Sequence, residues 1–198
     1  MTKVLWLDLE TTGLNPIING IAQVACLVEV GGEIVDSLYI PYIRPMKYDK
    51  IEPQALQVNG ITMNQLETGE EPRAAYSTIV KLFDKYIDKF DKMDKFVLAG
   101  YFAKIDSDFM RQFFFKNGNK FFGSYFHGAL LEVSTLLAVA LCEEFLPVMP
   151  NNKLDTLCKE LNVEIQAHEA LSDIKATREC YNKLARMMGM RGEAAQGL

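Results

Sequence analysis

The chain has 198 residues, of which 49% are apolar and 24% are charged, and its formal net charge is −5. This length fits one domain, and this balance is ordinary for a globular protein that can bury a full core. The charge gives no sign of a nucleic-acid partner, although a few basic residues on one face can hold phosphate whatever the total charge.

The cellular compartment is predicted from the cysteine pattern and from the lack of a leader or a long apolar segment in the sequence. Four cysteines, Cys26, Cys142, Cys158 and Cys180, show no C-x-x-C pair and no metal-ligand spacing, so we expect buried thiols in a reducing compartment. No charged leader precedes an apolar stretch at the N-terminus, and no apolar run approaches about 18 residues. We therefore expect a cytoplasmic protein with no membrane association.

The first strand is predicted from an apolar run at residues 4–7, which is typical of a strand buried on both faces. Asp8 and Glu10 follow it, before a turn at residues 11–16. Residues two apart on a strand share a face, so these carboxylates should project together. Two such charges in a site of low dielectric constant share a proton or bind a cation, although a strand end near water would tolerate them without a function.

Further elements follow in chain order. Runs at 21–30 and 33–43, joined by Gly31-Gly32, predict a hairpin, and two short helices are expected between 45 and 72, with Thr62 capping the second. A helix from Pro72 to about residue 91 is predicted by apolar spacing at Ile79, Phe83, Tyr86 and Phe90.

The second half alternates strand and helix. A buried strand is predicted at 96–100, a helix beginning near Asp106, a loop at 117–128, and helices at 130–145, 154–161 and 167–188. Strands separated by helices indicate an α/β fold, whose sites gather at the carboxyl ends of the strands. We expect a single domain at 1–188 and a short frayed tail at 189–198.

Three stretches carry acids or a base at the ends of elements: DLETTGLNP with Asp8 and Glu10, IDSDFM with Asp106, and HEALSD with His168 and Asp173. In this order and spacing the set resembles the DEDDh branch of the DnaQ-like 3′-to-5′ exonucleases, which includes polymerase proofreading subunits, RNase T and oligoribonuclease. DLETTGL matches the first motif in full, and HEALSD matches the third, H-x-A-x-x-D. The resemblance covers roughly residues 3–187.

The resemblance implies a ribonuclease H-like fold with a central mixed sheet flanked by helices. It also implies an enzyme that hydrolyses phosphodiester bonds at the free 3′ end of DNA, single-stranded or frayed, and releases nucleoside 5′-monophosphates. Proofreading or repair, with a polymerase or another replication protein as partner, is the expected context. The alternatives are an exoribonuclease acting on RNA tails or short oligoribonucleotides, and a module that binds nucleic acid or protein without cutting.

The chemistry implied is that of two divalent cations, Mg²⁺ or alternatively Mn²⁺, because hard oxygen ligands suit these ions. Four carboxylates bring a charge of about −4, which two such cations would neutralise. The implied ligands are Asp8, Glu10, Asp106 and Asp173. His168 would take the proton from the attacking water, since its unperturbed pKa of about 6.5 lies near neutrality.

The second motif departs from the pattern of its relatives, which read H-N-x-x-F-D-x-x-F-L where this chain reads YFAKIDSDFM from Tyr101 to Met110. Aligning Phe109-Met110 with F-L makes Asp106 the metal ligand and leaves Asp108 outside. Tyr101-Phe102 replaces the His-Asn pair. We expect one of these rings to point inward and the other to be exposed, with Tyr101 the better candidate for stacking on a base.

The resemblance also implies contacts to the terminal nucleotide from the turn that follows the first strand and from two further positions. For Leu14 and Ile105, ordinary packing is an equally good interpretation. The expected substrate-binding residues are Thr11, Gly13, Leu14, Asn59, Tyr101 and Ile105.

Overall fold

The structure, a computed structural model, describes residues 1–166 and 169–190. Its described strands form one five-stranded sheet in the order β3-β2-β1-β4-β5. β1 pairs antiparallel with β2 and parallel with β4, so the predicted central mixed sheet is confirmed. The strands are β1 (Lys3–Thr11), β2 (Ile21–Val30), β3 (Glu33–Ile40), β4 (Phe96–Gly100) and β5 (Phe126–Glu132).

The helices cover both faces of this sheet. Alternate residues of β1 point to opposite faces, with Leu5 and Leu7 in the core beneath α3 and α4, and Trp6 in the core beneath α5, α6 and α7. The helices are α1 (Pro53–Asn59), α2 (Met63–Glu67), α3 (Pro72–Tyr86), α4 (Ala103–Lys116), α5 (Val133–Cys142), α6 (Leu154–Leu161) and α7 (Ala170–Met187).

Several predicted elements are confirmed. The hairpin turns at Gly31-Gly32, the strand at 96–100 is β4, and the helix at 154–161 is α6. Thr62 caps α2, with its hydroxyl accepting the Gln65 N–H while the Gln65 side chain accepts the Thr62 N–H. Local turn and cap chemistry therefore accounts for the hairpin and for the start of α2.

The helix predicted to reach residue 91 ends at Tyr86, and that prediction is wrong. Ile87 is already extended, with φ −120° and ψ 125°, and it is buried. Lys3 Nζ donates to the Tyr86 carbonyl oxygen at 2.6 Å, which satisfies a carbonyl at the helix end. Phe90, expected in the core, is 87% exposed because it lies beyond this stop.

The boundary predicted between a loop ending at residue 128 and a helix starting at residue 130 is also wrong. Phe126–Glu132 is strand β5, which pairs parallel with β4 and places Leu130 opposite Leu98. α5 begins only at Val133. A short apolar run cannot distinguish a buried strand from a buried helix, and here pairing with β4 decides for the strand.

Three smaller expectations also meet the structure. Cys26, Cys158 and Cys180 are buried as expected, but Cys142, at the end of α5, is exposed. None of the helices within residues 1–166 and 169–190 has the length and apolar character needed to span a membrane. Most of the predicted tail, from residue 191 onward, and the predicted start of the last helix at residue 167 lie outside the described residues.

Candidate active site

The carboxyl end of β1 brings its two acids onto one face, as the sequence predicts. β1 continues through Asp8 and Glu10 to Thr11 because pairing with β2 extends that far, with Glu10 opposite Gln23. Asp173 reaches the same place from the first turn of α7. One oxygen from each of Asp8, Glu10 and Asp173 lies within 4.8 Å of the others, so these three carboxylates could hold a metal ion.

Asp106 joins the acids from the other side of β1. It lies in the first turn of α4, which begins at Ala103, three residues earlier than predicted. Asp106 is 8% exposed, and its Oδ1 accepts the Leu9 N–H at 3.1 Å. That hydrogen bond holds Asp106 against the backbone between Asp8 and Glu10.

Burial and mutual repulsion raise the pKa values of Asp8, Glu10 and Asp106. Burial is the largest cause for Asp8, and the charges of Asp106, Asp173 and Glu10 raise its pKa further, to well above 3.8. Burial likewise raises the pKa of Asp106 to about 8, against the opposing effect of the Leu9 N–H. The pKa of Glu10 rises to about 7 through burial and Asp173, although a hydrogen bond from Asn59 lowers it.

These shifts show that burial and the proximity of like charges oppose the ionisation of Asp8, Glu10 and Asp106. A bound cation would relieve both the desolvation and the repulsion. The donor set is made of carboxylate oxygens, which suits a hard divalent cation. The residues present therefore fit a divalent-metal site.

Asp108, the alternative acid of the second motif, faces elsewhere. Its side chain is 40% exposed, and its Oδ2 pairs with Lys104 Nζ at 2.5 Å across one turn of α4. Asp106 lines the same cavity as Asp8 and Asp173, and Asp108 does not. The geometry favours the alignment that makes Asp106 the metal ligand. The chemical role of Asp106 remains a prediction.

His168, the predicted base, lies outside the described residues. The start of the helix that follows it is anchored by two hydrogen bonds. Glu169 Oε2 accepts the Ser172 N–H at 3.1 Å, and the Ala170 N–H donates to Gln23 Oε1 at 2.8 Å. The first is a cap within the start of α7, and the second ties that start, and with it Asp173, to β2.

The turn after β1 is closely built and projects one apolar side chain. Thr11 Oγ1 donates to the Gly13 carbonyl oxygen at 2.7 Å. A Cβ atom at Gly13 would lie 2.4 Å from Asn19 Nδ2, so only glycine fits there without displacing Asn19. Leu14 is 87% exposed, which makes packing in the core the wrong interpretation of this residue.

Asn59 is buried and hydrogen-bonds the end of β1. Its Nδ2 donates to the Thr11 carbonyl oxygen at 3.2 Å, and its side chain also hydrogen-bonds Glu10. Its Oδ1 accepts the Ile61 N–H at 3.3 Å. Asn59 therefore positions Glu10, and its expected contact with a nucleotide remains a prediction.

One of the two rings of Tyr101 and Phe102 points inward and the other outward, as expected. Tyr101 is the ring predicted to be exposed, however, and it is the buried one. Tyr101 is 5% exposed, and its hydroxyl donates to the Asn152 carbonyl oxygen at 2.6 Å. Phe102 is 42% exposed and Ile105 is 52% exposed. The hydroxyl expected to face water instead finds a protein acceptor in the loop before α6.

A cavity of about 440 Å³ joins the acids to these aromatic residues. The sequence interpretation missed four of its twelve lining residues, Lys153, Leu154, Asp155 and Ile165, because the start of α6 and the segment after it meet the site only through tertiary packing. Lys153 and Asp155 could have been suspected only as polar residues at the start of a predicted helix. The lining residues are Asp8, Leu9, Val58, Tyr101, Phe102, Ile105, Asp106, Lys153, Leu154, Asp155, Ile165 and Asp173.

Comparison with solved structures shows the same fold. A crystal structure of E. coli Exonuclease I in complex with a dT13 oligonucleotide matches with a TM-score of 0.75 at 22% identity, over 94% of this chain and 41% of that chain. A zinc-bound form of the E. coli ExoI–ssDNA complex matches with a TM-score of 0.78 at 22% identity, over 96% and 42%. The ribonuclease H-like fold is thereby confirmed.

Sequence comparison identifies relatives and the family. The DNA polymerase III PolC-type protein of Oceanobacillus iheyensis is 29% identical over 171 residues, and that of Bacillus cereus is 27% identical over 175 residues. Each match covers 86% of this chain but 10% of the relative, so the chain spans about a tenth of their length. Residues 5–181 match the family described as Exonuclease (RNase_T). The chain therefore belongs to this exonuclease family, which confirms the family that its motifs predict.

Proposed function

We propose that this protein is a metal-dependent 3′-to-5′ exonuclease that removes nucleoside 5′-monophosphates from single-stranded or frayed 3′ ends of DNA. The observation that supports this best is the convergence of the Asp8, Glu10 and Asp173 oxygens within 4.8 Å, beside buried Asp106. A cluster of acids with raised pKa values costs stability and is typical of a site that binds a cation during its function.

Asp8, Glu10, Asp106 and Asp173 would hold two divalent cations, with Mg²⁺ favoured over Mn²⁺. When bound, these ions would activate a water and neutralise charge that develops on the phosphate. The zinc-bound form of the E. coli ExoI–ssDNA complex, which has the same fold, is consistent with a divalent ion in this protein and does not favour magnesium.

The chain's own groups would supply binding and proton transfer. His168 would take the proton from the attacking water, as a base whose ordinary pKa is near neutrality. Asn59 and the Leu9 N–H would keep Glu10 and Asp106 in place. Thr11 at the end of β1, Gly13 and Leu14 in the turn that follows, and Ile105 at the cavity would contact the terminal nucleotide.

DNA is favoured as the substrate because the relatives are DNA polymerases and the similar structures contain deoxyribonucleotide oligomers. The match to a short part of those polymerases also supports action alongside a polymerase or another replication protein, and we propose that this takes place in the cytoplasm. We propose that residues 1–188 form the working domain, since the family match ends at residue 181.

The test is incubation with Mg²⁺ and four 5′-labelled substrates: single-stranded DNA, a duplex with a 3′ mismatch, long RNA and a short oligoribonucleotide. We expect a ladder of shortened products from the first two, with each step releasing a 5′-monophosphate. An Asp8→Ala protein purified in the same way is the control for contaminating nucleases. Activity that persists in excess EDTA would contradict the metal site, and faster cutting of RNA would make the protein an exoribonuclease.

A further inference from the structure

Phe102 presents an aromatic ring at the wall of the cavity that also contains the acids. It is 42% exposed, at the position where β4 gives way to α4, four residues before Asp106. Both Phe102 and Asp106 line the same cavity of about 440 Å³. An exposed phenylalanine in such a place is available to a ligand that reaches the carboxylates.

The ring rests on a fixed support. Tyr101 packs edge to face against Phe102, with ring centroids 4.9 Å apart and planes at 81°. Tyr101 is itself buried, and its hydroxyl is held by the Asn152 carbonyl oxygen at 2.6 Å. Because the supporting ring is tied down, Phe102 loses less freedom when a ligand packs on it than a side chain on a mobile loop would.

Most of the other lining side chains away from the acids are apolar. Ile105, one turn further along α4, is 52% exposed, and Val58 at 63% exposure and Ile165 line the same cavity, together with the charged Lys153 and Asp155. A planar, partly apolar ligand fits such a wall, whereas a phosphate or a sugar hydroxyl does not. The cavity thus combines an apolar wall for a ring with a carboxylate cluster for a metal-bound phosphate.

We propose that Phe102 is the stacking surface for the nucleobase of an unpaired 3′-terminal nucleotide. This inference rests on the proposed exonuclease function and adds to it the selection of the substrate. Every base has an aromatic face, so such stacking is tolerant of sequence. A base within a duplex is already stacked and paired and must first be separated from its partner, so this contact selects single-stranded or frayed ends over paired ends.

The decisive experiment compares a normal 3′ end with a 3′-terminal abasic nucleotide on the same single-stranded DNA, for the wild type and for Phe102→Ala. Stacking on one aromatic side chain is worth about 1 to 3 kcal/mol, which corresponds to roughly 5- to 150-fold in affinity. We expect the wild type to show a KM higher by this factor on the abasic end. Phe102→Ala should show a similarly high KM on both ends, with kcat within about twofold of the wild type.

Two further variants identify the aromatic ring as the cause. Phe102→Trp should restore a low KM for the normal end, whereas Phe102→Leu, which keeps apolar bulk without a π face, should not. Phe90→Ala is the matched control, because Phe90 is also an exposed phenylalanine, at 87%, and does not line this cavity. It should behave as the wild type does.

Other results would overturn the inference. An equal abasic penalty in the wild type and in Phe102→Ala would show that the base does not rest on Phe102. A fall in kcat with unchanged KM, together with a smaller increase in melting temperature on adding Mg²⁺, would show that Phe102 only positions Asp106. If the wild type cuts no DNA 3′ end at all, the proposed function itself fails, and this result is distinct from the previous two.

Discussion

The protein contains two regions of buried carboxylate that are built in opposite ways. Glu29 on β2 is 3% exposed and receives hydrogen bonds from Trp6 Nε1 at 3.0 Å and from Arg178 Nε at 2.7 Å. Arg178 also donates to the Gly32 carbonyl oxygen at 3.0 Å. The charge of Glu29 is thus compensated by a cation that the fold itself supplies.

The acid cluster shows the reverse arrangement. Within residues 1–166 and 169–190, the charges that act on Asp8 include those of Asp106, Asp173 and Glu10, and each of them raises its pKa. A single helix, α7, contributes both Arg178 to the first region and Asp173 to the second. Among the described residues the two regions therefore differ in the charges beside the buried acid: Glu29 has a cation supplied by the fold, whereas the charges that the structure describes beside Asp8 are those of other carboxylates, as expected of a site that binds a cation from solution.

The largest expected effect is on cleavage. Asp106→Ala should lower turnover to background, at least about 10²-fold, because it removes a predicted metal ligand from the most buried corner of the cluster. Asp108→Ala is the matched control and should retain most activity, since Asp108 pairs with Lys104 at the surface. Product ladders from labelled single-stranded DNA measure the cleavage rates of both variants. Loss of activity in Asp108→Ala but not in Asp106→Ala would show that the alignment of the second motif is wrong by two residues.

The second expected effect concerns the proposed base. His168→Ala should lower turnover by roughly 10²- to 10⁴-fold, the usual contribution of general base catalysis, while metal binding is largely kept. Mg²⁺-dependent changes in melting temperature would report that binding. The other histidine of the chain, His127, is exposed on β5 and gives the control His127→Ala. Near-normal cleavage rates in His168→Asn would contradict the role as base and would show that His168 only caps the last helix.

A third prediction breaks the compensated region. Arg178→Met should lower the free energy of unfolding by roughly 3 kcal/mol, because it removes the cation that pairs with the buried Glu29 carboxylate at 2.7 Å. Urea unfolding measures this loss. Adding Glu29→Gln to the same protein should recover part of it, since the buried negative charge is then removed. No recovery would show that Arg178 contributes by packing alone.

The smallest expected effect is the pH dependence of the metal-free protein. The pKa values of Asp106 and Glu10 rise on folding, to about 8 and about 7, so the folded state binds more protons than the unfolded state. Stability should therefore fall as pH rises from about 4 to about 8. Between pH 5 and pH 8 in EDTA we expect the melting temperature to drop by at least about 2 to 4 °C, the shift that 1 kcal/mol produces in a domain of this size.

Mg²⁺ should reverse this trend, because cations bind the ionised acids and their binding stabilises the folded state. Asp106→Asn should flatten the slope in EDTA, since the side chain no longer titrates. Arg178→Met does not alter the acid cluster and should keep the slope while lowering the whole curve. A melting temperature that rises with pH in EDTA would contradict the repulsion described for the cluster.

The sequence by itself determined the central strand and the grouping of its acids. The apolar run at residues 4–7 could be satisfied only by burial on both sides, and the two-residue period then required Asp8 and Glu10 to share a face. Turn and cap chemistry, local by nature, likewise determined the hairpin at Gly31-Gly32 and the start of α2 at Thr62.

Only the tertiary structure decided where local preference was ambiguous or where partners come from distant parts of the chain. Leu130 lies in a strand because β4 offers an unpaired edge, and α3 stops at Tyr86 because Lys3 takes its terminal carbonyl. Tyr101 points inward because Asn152 supplies an acceptor for its hydroxyl, and this leaves Phe102 facing the cavity. These outcomes depend on pairing and hydrogen bonds between residues far apart in sequence, which no local pattern records.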